Sequence, residues 1–339
     1  MTITRTKAPA TLRQVAAQAD VSVATVSRYL NKSLKVGIAT EERILAAIAD
    51  LRYKPNLLAQ GLSKGKTMMI GVLTPSVTSP FYDHIQYGLE ITTAKAGYVC
   101  VSASGDRDTA AQVKVLDILV GRRVDGVVIL ESRMSDALLA GYARQLPVVV
   151  LGRSIVAENL YSMTISHVRA AFDATNHLLA LGHRDIVFIG GLDNNSDSIE
   201  RLAGYRQALE AAGVPFRPEM TIAGEFTEHS GIKAFDTMQE RGLSYTAVFA
   251  ANDQTAYGLR LALYQRGIRV PEDVSIVGYD DLPGSIFCTP PLTTVRQQTY
   301  FIGEALGNDL LSLMTDTPRQ TANIELELMV RQSTAAPAR

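Results

Sequence analysis

The chain has 339 residues, of which 47% are hydrophobic and 20% charged, so it can bury a substantial core and we do not expect a disordered protein. It contains no run of about 18 apolar residues, which excludes an ordinary membrane-spanning helix. Residues 1–14 lack the apolar stretch of a signal peptide, and we therefore expect a cytoplasmic protein with no membrane partner.

The charge is unevenly distributed along the chain. Residues 1–66 carry 11 Lys and Arg against 4 Asp and Glu, a net charge of +7, whereas the remainder has a net charge of −8. A small basic segment attached to a larger acidic part predicts a polyanionic partner for the basic segment. Charge alone leaves DNA, RNA and an anionic membrane surface open.

Residues 11–51 predict three short helices. Thr11 and Ser22 can cap the first two, which are separated by a short turn, and Thr40 is the predicted cap of the third. Two short helices joined in this way form a helix-turn-helix pattern, whose second helix enters the major groove of double-stranded DNA. A generic three-helix bundle with solvated polar residues is the alternative.

The second predicted helix presents four residues to DNA: Val23, Ala24, Ser27 and Arg28. The guanidinium of Arg28 can donate two hydrogen bonds to guanine, and Val23 and Ala24 can contact thymine methyl groups. The N-terminal part of this helix is therefore the predicted base-reading surface.

The segments VSVATVSRYLN (residues 21–31) and RYKPNLLAQGLSKGKT (residues 52–67) resemble the patterns V-S-x-x-T-V-S-R-x-L-N and Y-x-P-N-x-x-A-x-x-L of the lactose-repressor (LacI/GalR) family. The resemblance continues along essentially the whole chain. It implies a homodimeric transcriptional repressor that binds operator DNA, with a hinge helix that inserts Leu62 into the minor groove. Simple linker packing of Leu62 is the alternative. The candidate DNA contacts are Thr11, Ser22, Val23, Ala24, Thr25, Ser27, Arg28, Asn31, Asn56, Ala59 and Leu62.

From residue 68 onward, short apolar runs alternate with amphipathic stretches. Runs such as 69–73, 124–130 and 247–251 are typical of parallel strands that are buried on both faces. The alternation predicts an α/β, doubly wound fold in two units, joined to the small all-α helix-turn-helix part. The resemblance implies that this body has two lobes, like a periplasmic binding protein.

The predicted domains are a helix-turn-helix domain over residues 1–54, a hinge over 55–67, and a ligand-binding and dimerisation domain over 68–339. Within the last, we expect an N-lobe at about 68–165 and 297–323 and a C-lobe at about 166–296 and 324–333, with three crossings between them as the resemblance implies. The C-terminal sequence RQSTAAPAR has no leucine heptads, so we expect a dimer and no tetramer.

Polar segments follow several of the predicted strands. In sugar-responsive members of the family, residues matching Arg201, Asn252 and Asp280 hold ligand hydroxyl groups, and Gln297 matches a further ligand residue. A charged donor opposite a carboxylate supplies the paired donors and acceptors that a polyol needs. The candidate effector contacts are Pro75, Phe81, Tyr82, Arg201, Asn252, Asp280 and Gln297, with roles in helix starts, turns and packing as the alternative.

Three neighbouring polar residues are interpreted differently. Asp253 and Asp281 are predicted to be structural caps. Ser166 and His167 stand where many family members have the pair Asp-Asn at the start of a helix, and we interpret His167 either as a ligand contact or as a surface histidine.

The predicted function is repression under allosteric control by a small sugar or sugar-acid effector bound between the lobes. A purine or other non-sugar corepressor is the alternative. The sequence contains no GxGxxG, GxSxG, HExxH or P-loop motif and no metal-type histidine cluster, so we expect no enzyme activity, no cofactor and no metal. The basic N-terminal segment argues against a solute-binding protein of a transporter.

Overall fold

The computed structural model describes residues 10–31, 33–54, 65–320 and 323–338. The chain divides into two compact units, Met1–Thr67 and Met68–Arg339. The predicted hinge contacts Asn56, Ala59 and Leu62 lie outside the described residues, and the predicted domain limits remain predictions.

The described part of the first unit contains the helices α1 (Leu12–Gln18), α2 (Val23–Leu30) and α3 (Ile38–Leu51). The Thr11 side chain accepts a hydrogen bond from the Gln14 backbone, and the Thr11 backbone N–H donates to the Gln14 side chain over 2.8 Å, which forms a capping box. Ser22 Oγ accepts a hydrogen bond from the Thr25 N–H over 3.0 Å. Both predicted caps are confirmed.

The predicted cap of the third helix at Thr40 is wrong. Helix α3 begins at Ile38, two residues earlier, and Gly37 is its N-cap with an extended backbone and no side-chain hydrogen bond. Thr40 therefore lies in the first turn, where its N–H bonds to the carbonyl of Gly37 over 2.9 Å. The extended Gly37 backbone starts the helix without a polar side chain, which sequence rules for caps do not detect.

The three helices pack around a small core that contains Val15, Val26 and Ile44, all fully buried. The Tyr29 hydroxyl donates to Glu41 Oε1 over 2.7 Å and ties α2 to α3. Because the core takes up only one side of α2, the polar and small residues on its other side remain available at the surface.

Strands and helices alternate along the described part of the second unit. Its first half contains β1 (Met69–Thr74), α4 (Pro80–Lys95), β2 (Val99–Ser104), α5 (Thr109–Gly121), β3 (Gly126–Ile129), α6 (Asp136–Ala143), β4 (Val148–Leu151) and β5 (Leu160–Met163). Its second half contains α7 (Val168–Ala180), β6 (Ile186–Ile189), α8 (Ser196–Ala211), β7 (Thr221–Ile222), α9 (Glu228–Glu240), β8 (Ala247–Ala250), α10 (Asp253–Gln265), β9 (Ser275–Asp280), α11 (Gly284–Phe287), β10 (Thr293–Gln297), α12 (Thr299–Thr315) and β11 (Leu326–Met329). The predicted α/β alternation is confirmed. Across the described residues, we find no helix with the length and apolar character needed to cross a membrane.

The strands form two sheets. The first has the order β2-β1-β3-β4-β5 and is entirely parallel, and the second has the order β11-β10-β9-β8-β6-β7, in which β11 runs antiparallel to β10. Ile302 and Leu306 of α12 pack in the core of the first sheet, although the strands on either side of α12 belong to the second. The chain therefore passes between the sheets after β5, before α12 and after α12.

The segment after β11 is bonded to the second sheet. Ser333 Oγ accepts a hydrogen bond from the Thr293 N–H over 2.8 Å and donates to the Ile276 carbonyl over 2.6 Å. Arg331 Nη2 donates to Asp281 Oδ1 over 2.6 Å. These buried contacts make the end of the described chain an integral part of the second sheet.

Two histidines hold the same C-terminal segment. His177 Nε2 lies 2.9 Å from Thr334 Oγ1, and His183 Nε2 lies 2.8 Å from the carbonyl of Ala335. Burial lowers the pKa of both side chains, and the charge of His183 lowers the pKa of His177 further. Both histidines are therefore held in the neutral form at neutral pH.

Three pairs of helices make backbone contact through glycine. A Cβ at Gly303 of α12 would lie 1.9 Å from the carbonyl oxygen of Ile85 in α4, and a Cβ at Gly88 of α4 would lie 2.1 Å from that of Tyr300. The same relation holds for Gly231 and Gly258 between α9 and α10, and for Gly204 of α8 against α7. No larger residue fits at these positions without moving a helix.

We expect Gly303→Ala to destabilise the protein by about 1–3 kcal/mol, because overpacking a well-packed interior has costs of this size. Gly141→Ala in α6 is the matched control, since its Cβ would meet nothing nearer than 3.6 Å. Gly→Ala at such a helical site should stabilise by about 0.4–1 kcal/mol. Urea unfolding followed by circular dichroism measures both changes, and equal midpoints for the two variants would contradict the packing argument.

Stability should fall as the solution becomes acidic. Because the folded-state pKa of His177 and His183 is lowered, the unfolded chain binds more protons, so their contribution is complete above the ordinary pKa of about 6.5 and is lost as pH falls below it. Melting temperatures at about pH 7.5 and about pH 5.5 measure the loss. His183→Gln should lower the melting temperature at the higher pH and reduce the difference between the two.

The control for this pH response is His229→Gln, at an exposed position. It should leave the difference between the two melting temperatures at the wild-type value. A His183→Gln protein with the full wild-type difference would show that this histidine does not contribute to the acid sensitivity.

Candidate functional site

The first candidate surface lies on α2. Val23, Ala24 and Arg28 are exposed, and the N-cap residue Ser22 is exposed beside them. Thr25, Ser27 and Asn31 are partly buried, and Thr11 is exposed at the start of α1. The described candidates for DNA contact therefore include one cation, several hydroxyl groups and two small apolar side chains, the chemistry that reads base edges in a major groove.

The second candidate surface is a cleft of about 760 Å³. It belongs to the second unit and lies between the two sheets of that unit. Leu130–Arg133 and Leu151–Ser154 line it from the carboxyl ends of β3 and β4. Asn194–Asp197 line it at the start of α8. Both sheets thus contribute the strand ends at which open α/β folds bind ligands.

Most predicted effector residues meet in this region. Gln297 lines the cleft, and an adjoining inner pocket is lined by Arg201, Asn252 and Asp280. Phe81 and Tyr82 line both. Pro75 lines neither, and its carbonyl accepts a hydrogen bond from Ser104 Oγ over 3.1 Å. The structure therefore brings six of the seven candidates together.

Arg201 is the most deeply buried cation of the inner pocket, with 3% of its surface exposed. Its guanidinium lies 4.0 Å from the centre of the Tyr279 ring, and Nη1 donates to the Ala251 carbonyl over 2.5 Å. The carboxylates of Asp280 and Asp197 are 3.8 and 3.9 Å away, beyond hydrogen-bond distance. Within the described residues, Nε has no hydrogen-bond partner. This cation is therefore buried with unused donor capacity.

Asp280 lies opposite Arg201, at the end of β9. Its Oδ1 accepts a hydrogen bond from Gln297 Nε2 over 2.7 Å, and burial raises the pKa of the carboxyl to about 8, although the nearby charge of Arg201 acts against this rise. The backbone φ of Asp280 is 113°, a conformation that residues other than glycine rarely adopt. Strained residues of this kind cluster at binding sites.

His167 is not a surface histidine. Only 3% of it is exposed, Nδ1 lies 2.9 Å from the Tyr279 hydroxyl, and Nε2 lies 3.6 Å from Asp197 Oδ1. Burial, followed by the charge of Arg201, lowers its pKa well below the ordinary value. The alternative of a solvated histidine is therefore wrong, and a neutral imidazole lines the cleft.

The part of the body that contains the first sheet, here called the first lobe, contributes a cluster of polar side chains that was not among the predicted contacts, Glu131 and Arg107 beside Tyr82. The Tyr82 hydroxyl donates to Glu131 Oε2 over 2.9 Å, and Arg107 Nε donates to the same oxygen over 3.2 Å. Burial and the charge of Glu131 raise the pKa of Tyr82 well above its ordinary value. Glu131 lies two residues beyond the end of the buried strand β3, a position that could have identified it. Arg107 lies in a loop with a left-handed backbone and gives no such signal.

The helix start beside the inner pocket differs from the predicted arrangement. Asn252, not Asp253, is the N-cap of α10, and its side chain accepts a hydrogen bond from the Thr255 N–H over 3.0 Å. Asp253 is fully buried and accepts three hydrogen bonds, from the Leu282 N–H, Ser285 Oγ and Thr294 Oγ1 at 2.6–2.8 Å. It therefore fixes the loop after β9 and does not cap the helix.

Asp281 is a structural residue, as predicted, but it binds two arginines and is not a helix cap. Its two oxygens accept hydrogen bonds from Arg296 Nε over 2.8 Å and from Arg331 Nη2 over 2.6 Å. The side chain thereby joins the end of β9 to β10 and to the C-terminal segment, and it caps no helix.

Basic and acidic side chains are equally numerous around the cleft and inner pocket, and the raised pKa of Asp280 leaves only a small positive net charge at neutral pH. The lining side chains include four cations, Arg107, Arg133, Arg153 and Arg201, and four acids, Glu131, Asp197, Glu200 and Asp280. Together with the hydroxyl and amide groups, they offer donors and acceptors with little net charge. Such a lining suits a ligand with many hydroxyl groups.

Two family models match this chain. Residues 11–56 match the family described as bacterial regulatory proteins, lacI family, and residues 175–334 match the periplasmic binding protein-like domain. The chain is 33% identical to the HTH-type transcriptional repressor CytR of Escherichia coli K12 over 330 residues, which are 96% of this chain and 97% of that protein.

Two solved structures are similar over nearly the whole chain. The Lac repressor dimer bound to operator and the anti-inducer ONPF superposes with a TM-score of 0.83 at 29% identity, covering 97% of this chain and 100% of that one. The complex of the transcriptional regulator CelR with cellobiose gives a TM-score of 0.70 at 33% identity, covering 96% and 99%. The helix-turn-helix unit, the two-sheet body and these relationships together show that the chain belongs to the LacI family of bacterial transcriptional regulators.

Proposed function

We propose that the protein is a homodimeric repressor that binds operator DNA through α2 and is controlled by a small, hydroxyl-rich effector in the cleft. The observation that carries the effector part is Arg201, which is buried beside Asp280 and whose Nε has no hydrogen-bond partner among the residues that the structure describes. A ligand that accepts a hydrogen bond from this guanidinium would complete the pocket. The proposal assigns no catalytic step to the cleft, and an operator-binding role implies the bacterial cytoplasm.

The DNA-binding part rests on the exposed face of α2. Arg28 lies in the last turn of the helix and is exposed, while Val23 and Ala24 are exposed at its start. The Lac repressor, which has the same fold, was solved on operator DNA as a dimer. A dimer presents two recognition helices, so its operator should contain two related half-sites.

We expect duplexes selected from a random library by the full-length protein to contain two inverted half-sites. Arg28→Ala should weaken binding to the selected duplex by about 1–3 kcal/mol and relax the preference at one base pair of each half-site, because a bidentate contact to guanine is lost. Fluorescence anisotropy with single-base variants of the duplex measures both effects.

Arg43→Ala is the charge-matched control. Arg43 lies on α3 and forms an exposed ion pair with Asp20 over 3.7 Å. Its loss should weaken binding less and leave every base preference unchanged. The same base preferences in Arg28→Ala as in the wild type would argue against α2 as the base-reading helix.

For the effector, a sugar or sugar acid is the favoured class. The lining of the cleft has little net charge, and Arg201 faces Asp280 across 3.8 Å, an arrangement that suits neutral or weakly acidic polyols. The related regulator CelR was solved as a complex with cellobiose. The aromatic rings of Phe81 and Phe226 in the inner pocket also suit a flat base, so a purine corepressor is the second candidate.

A thermal-shift screen of sugars, sugar acids, sugar phosphates and purines should identify the class. A ligand at about 100 times its dissociation constant adds roughly 2.7 kcal/mol of stability. Asp280→Ala should abolish the shift caused by a sugar, because it removes the acceptor opposite Arg201. A shift with purines alone would replace the sugar proposal by the corepressor, and no shift with any compound would contradict a sensing role for the cleft.

The control for Asp280→Ala is Asp273→Ala, which removes an exposed carboxylate that is paired with Arg269 and lies just before β9, at the opposite end of the strand from Asp280. It should retain the full ligand-induced shift. Comparing the shifts, and not the melting temperatures themselves, separates effector binding from the stability effect of removing a buried carboxyl group.

The homodimer is supported by exposed apolar side chains on two neighbouring helices. Leu261 and Tyr264 on α10 and Ile286 and Phe287 on α11 are all exposed, Phe287 and Tyr264 to 82% each. The two helices are joined by a 2.7 Å hydrogen bond between Tyr257 and Ser285. Large apolar groups concentrated in this way are typical of subunit interfaces.

A further inference from the structure

The wall of the inner pocket contains a residue in an unusual backbone conformation. Phe226 precedes α9, lines the pocket, and has a φ of 61°, in the left-handed region. A bulky side chain in this region is uncommon and costs free energy that its surroundings must offset. The structure therefore holds Phe226 in place by specific contacts.

Two contacts fix Phe226. Asn252 Nδ2 donates a hydrogen bond to the Phe226 carbonyl over 3.0 Å. On the other side the ring lies against Gly191, where even a Cβ atom would come within 1.9 Å of it. The ring is held 5.6 Å from the guanidinium of Arg201, at the centre of the pocket.

Both ends of the Asn252 amide take part in these contacts, which leave one N–H and one oxygen lone pair free of a bond to the described residues. Its Oδ1 accepts from the Thr255 N–H over 3.0 Å, its Nδ2 donates to Phe226, and only 4% of the residue is exposed. A side chain whose two ends bind the backbone of two different segments is suited to joining those segments. The family resemblance predicts a direct effector contact for Asn252, and the two hydrogen bonds add a second role.

We propose that Asn252 is a positioning residue, which acts on the effector pocket by holding Phe226 as its aromatic wall. The Asn252 amide joins the start of α10 to the loop before α9, so the ring stays beside Arg201. The wall then offers a flat apolar face to one side of a ring-shaped ligand, while Arg201 and Asp280 bind its polar edge. This last step rests on the proposed effector site; the holding of Phe226 does not.

The test uses a single fluorescent reporter. The chain has no tryptophan, so Phe226→Trp in the full-length protein gives one emission signal from the pocket wall. Adding Asn252→Asp keeps the oxygen that caps α10 but removes the amide donor to residue 226. We expect a red-shifted emission maximum and a larger acrylamide quenching constant in the ligand-free double variant, because the ring is released toward solvent.

The matched control is Asn159→Asp in the Phe226→Trp protein. Asn159 Nδ2 also donates to a backbone carbonyl, that of Ala143, over 2.8 Å, but it lies in the first lobe away from the pocket. This variant should lose some stability and keep the original emission and quenching. Emission and quenching unchanged by Asn252→Asp in a folded protein would overturn the proposal.

A second measurement avoids the tryptophan. Hydrogen–deuterium exchange of the peptide that spans residues 223–230 should be faster in Asn252→Asp than in the wild type, both with Phe226 intact. An equal rate would overturn the proposal. Neither measurement requires a ligand. An effector screen without a hit would therefore not affect the inference that Asn252 holds Phe226. Conversely, unchanged fluorescence and exchange would overturn this inference and leave the effector proposal to the thermal-shift screen.

Discussion

The body depends on one constraint of connectivity: a single chain builds two sheets, the first parallel and the second parallel except for β11, and passes between them three times. Helix α12 completes the core of the first sheet while its flanking strands pair in the second. Arg319 fixes the last passage, since its Nη2 donates to the buried Asp309 over 2.6 Å and to the Ser162 carbonyl over 2.9 Å. Because of these links the strand ends of both sheets face a common cleft, and a change in the angle between the lobes must be transmitted through the linking segments.

The electrostatics of the cleft follow from this arrangement. Arg201 and Asp280 are buried close to each other at a distance of 3.8 Å, too far for a hydrogen bond, and burial raises the pKa of Asp280. The Arg201 guanidinium is therefore a charge taken out of water and imperfectly paired, which is costly in the absence of a ligand. A hydroxyl-bearing molecule between the two could bond to both, which gives a free-energy difference between the empty and the occupied pocket. An allosteric switch requires in addition that this difference be larger in one arrangement of the two lobes than in another.

Sequence patterns predicted much of the architecture and part of the site. The caps at Thr11 and Ser22 are local features, and the α/β alternation follows from the period of the apolar residues, so both could be predicted. The start of α3 at Ile38 could not, because the extended Gly37 backbone replaces a polar cap. Arg201, Asn252 and Asp280 were placed in one pocket by family resemblance, and the structure brings them together.

The roles of individual polar residues were less predictable. Whether Asp253 caps a helix or fixes a loop depends on Leu282, Ser285 and Thr294, which are about 30–40 positions away in sequence. The burial of His167 depends on Tyr279, and the wall formed by Phe226 depends on a left-handed backbone that favours glycine. Each of these facts is set by contacts between distant segments, which residue spacing does not encode.

The C-terminal segment has a consequence for how the protein is made. The first sheet lacks part of its core until α12 has been synthesised, and the second lacks Ser333 and its bonds to Thr293 and Ile276 until later still. During translation, neither lobe can therefore reach its final packing while most of the chain is emerging from the ribosome. The body must complete its folding in one late step, in contrast to proteins whose N-terminal domain folds first. Chains that end before α12 would expose the apolar face of the first sheet that Ile302 and Leu306 cover, which makes them candidates for binding by chaperones.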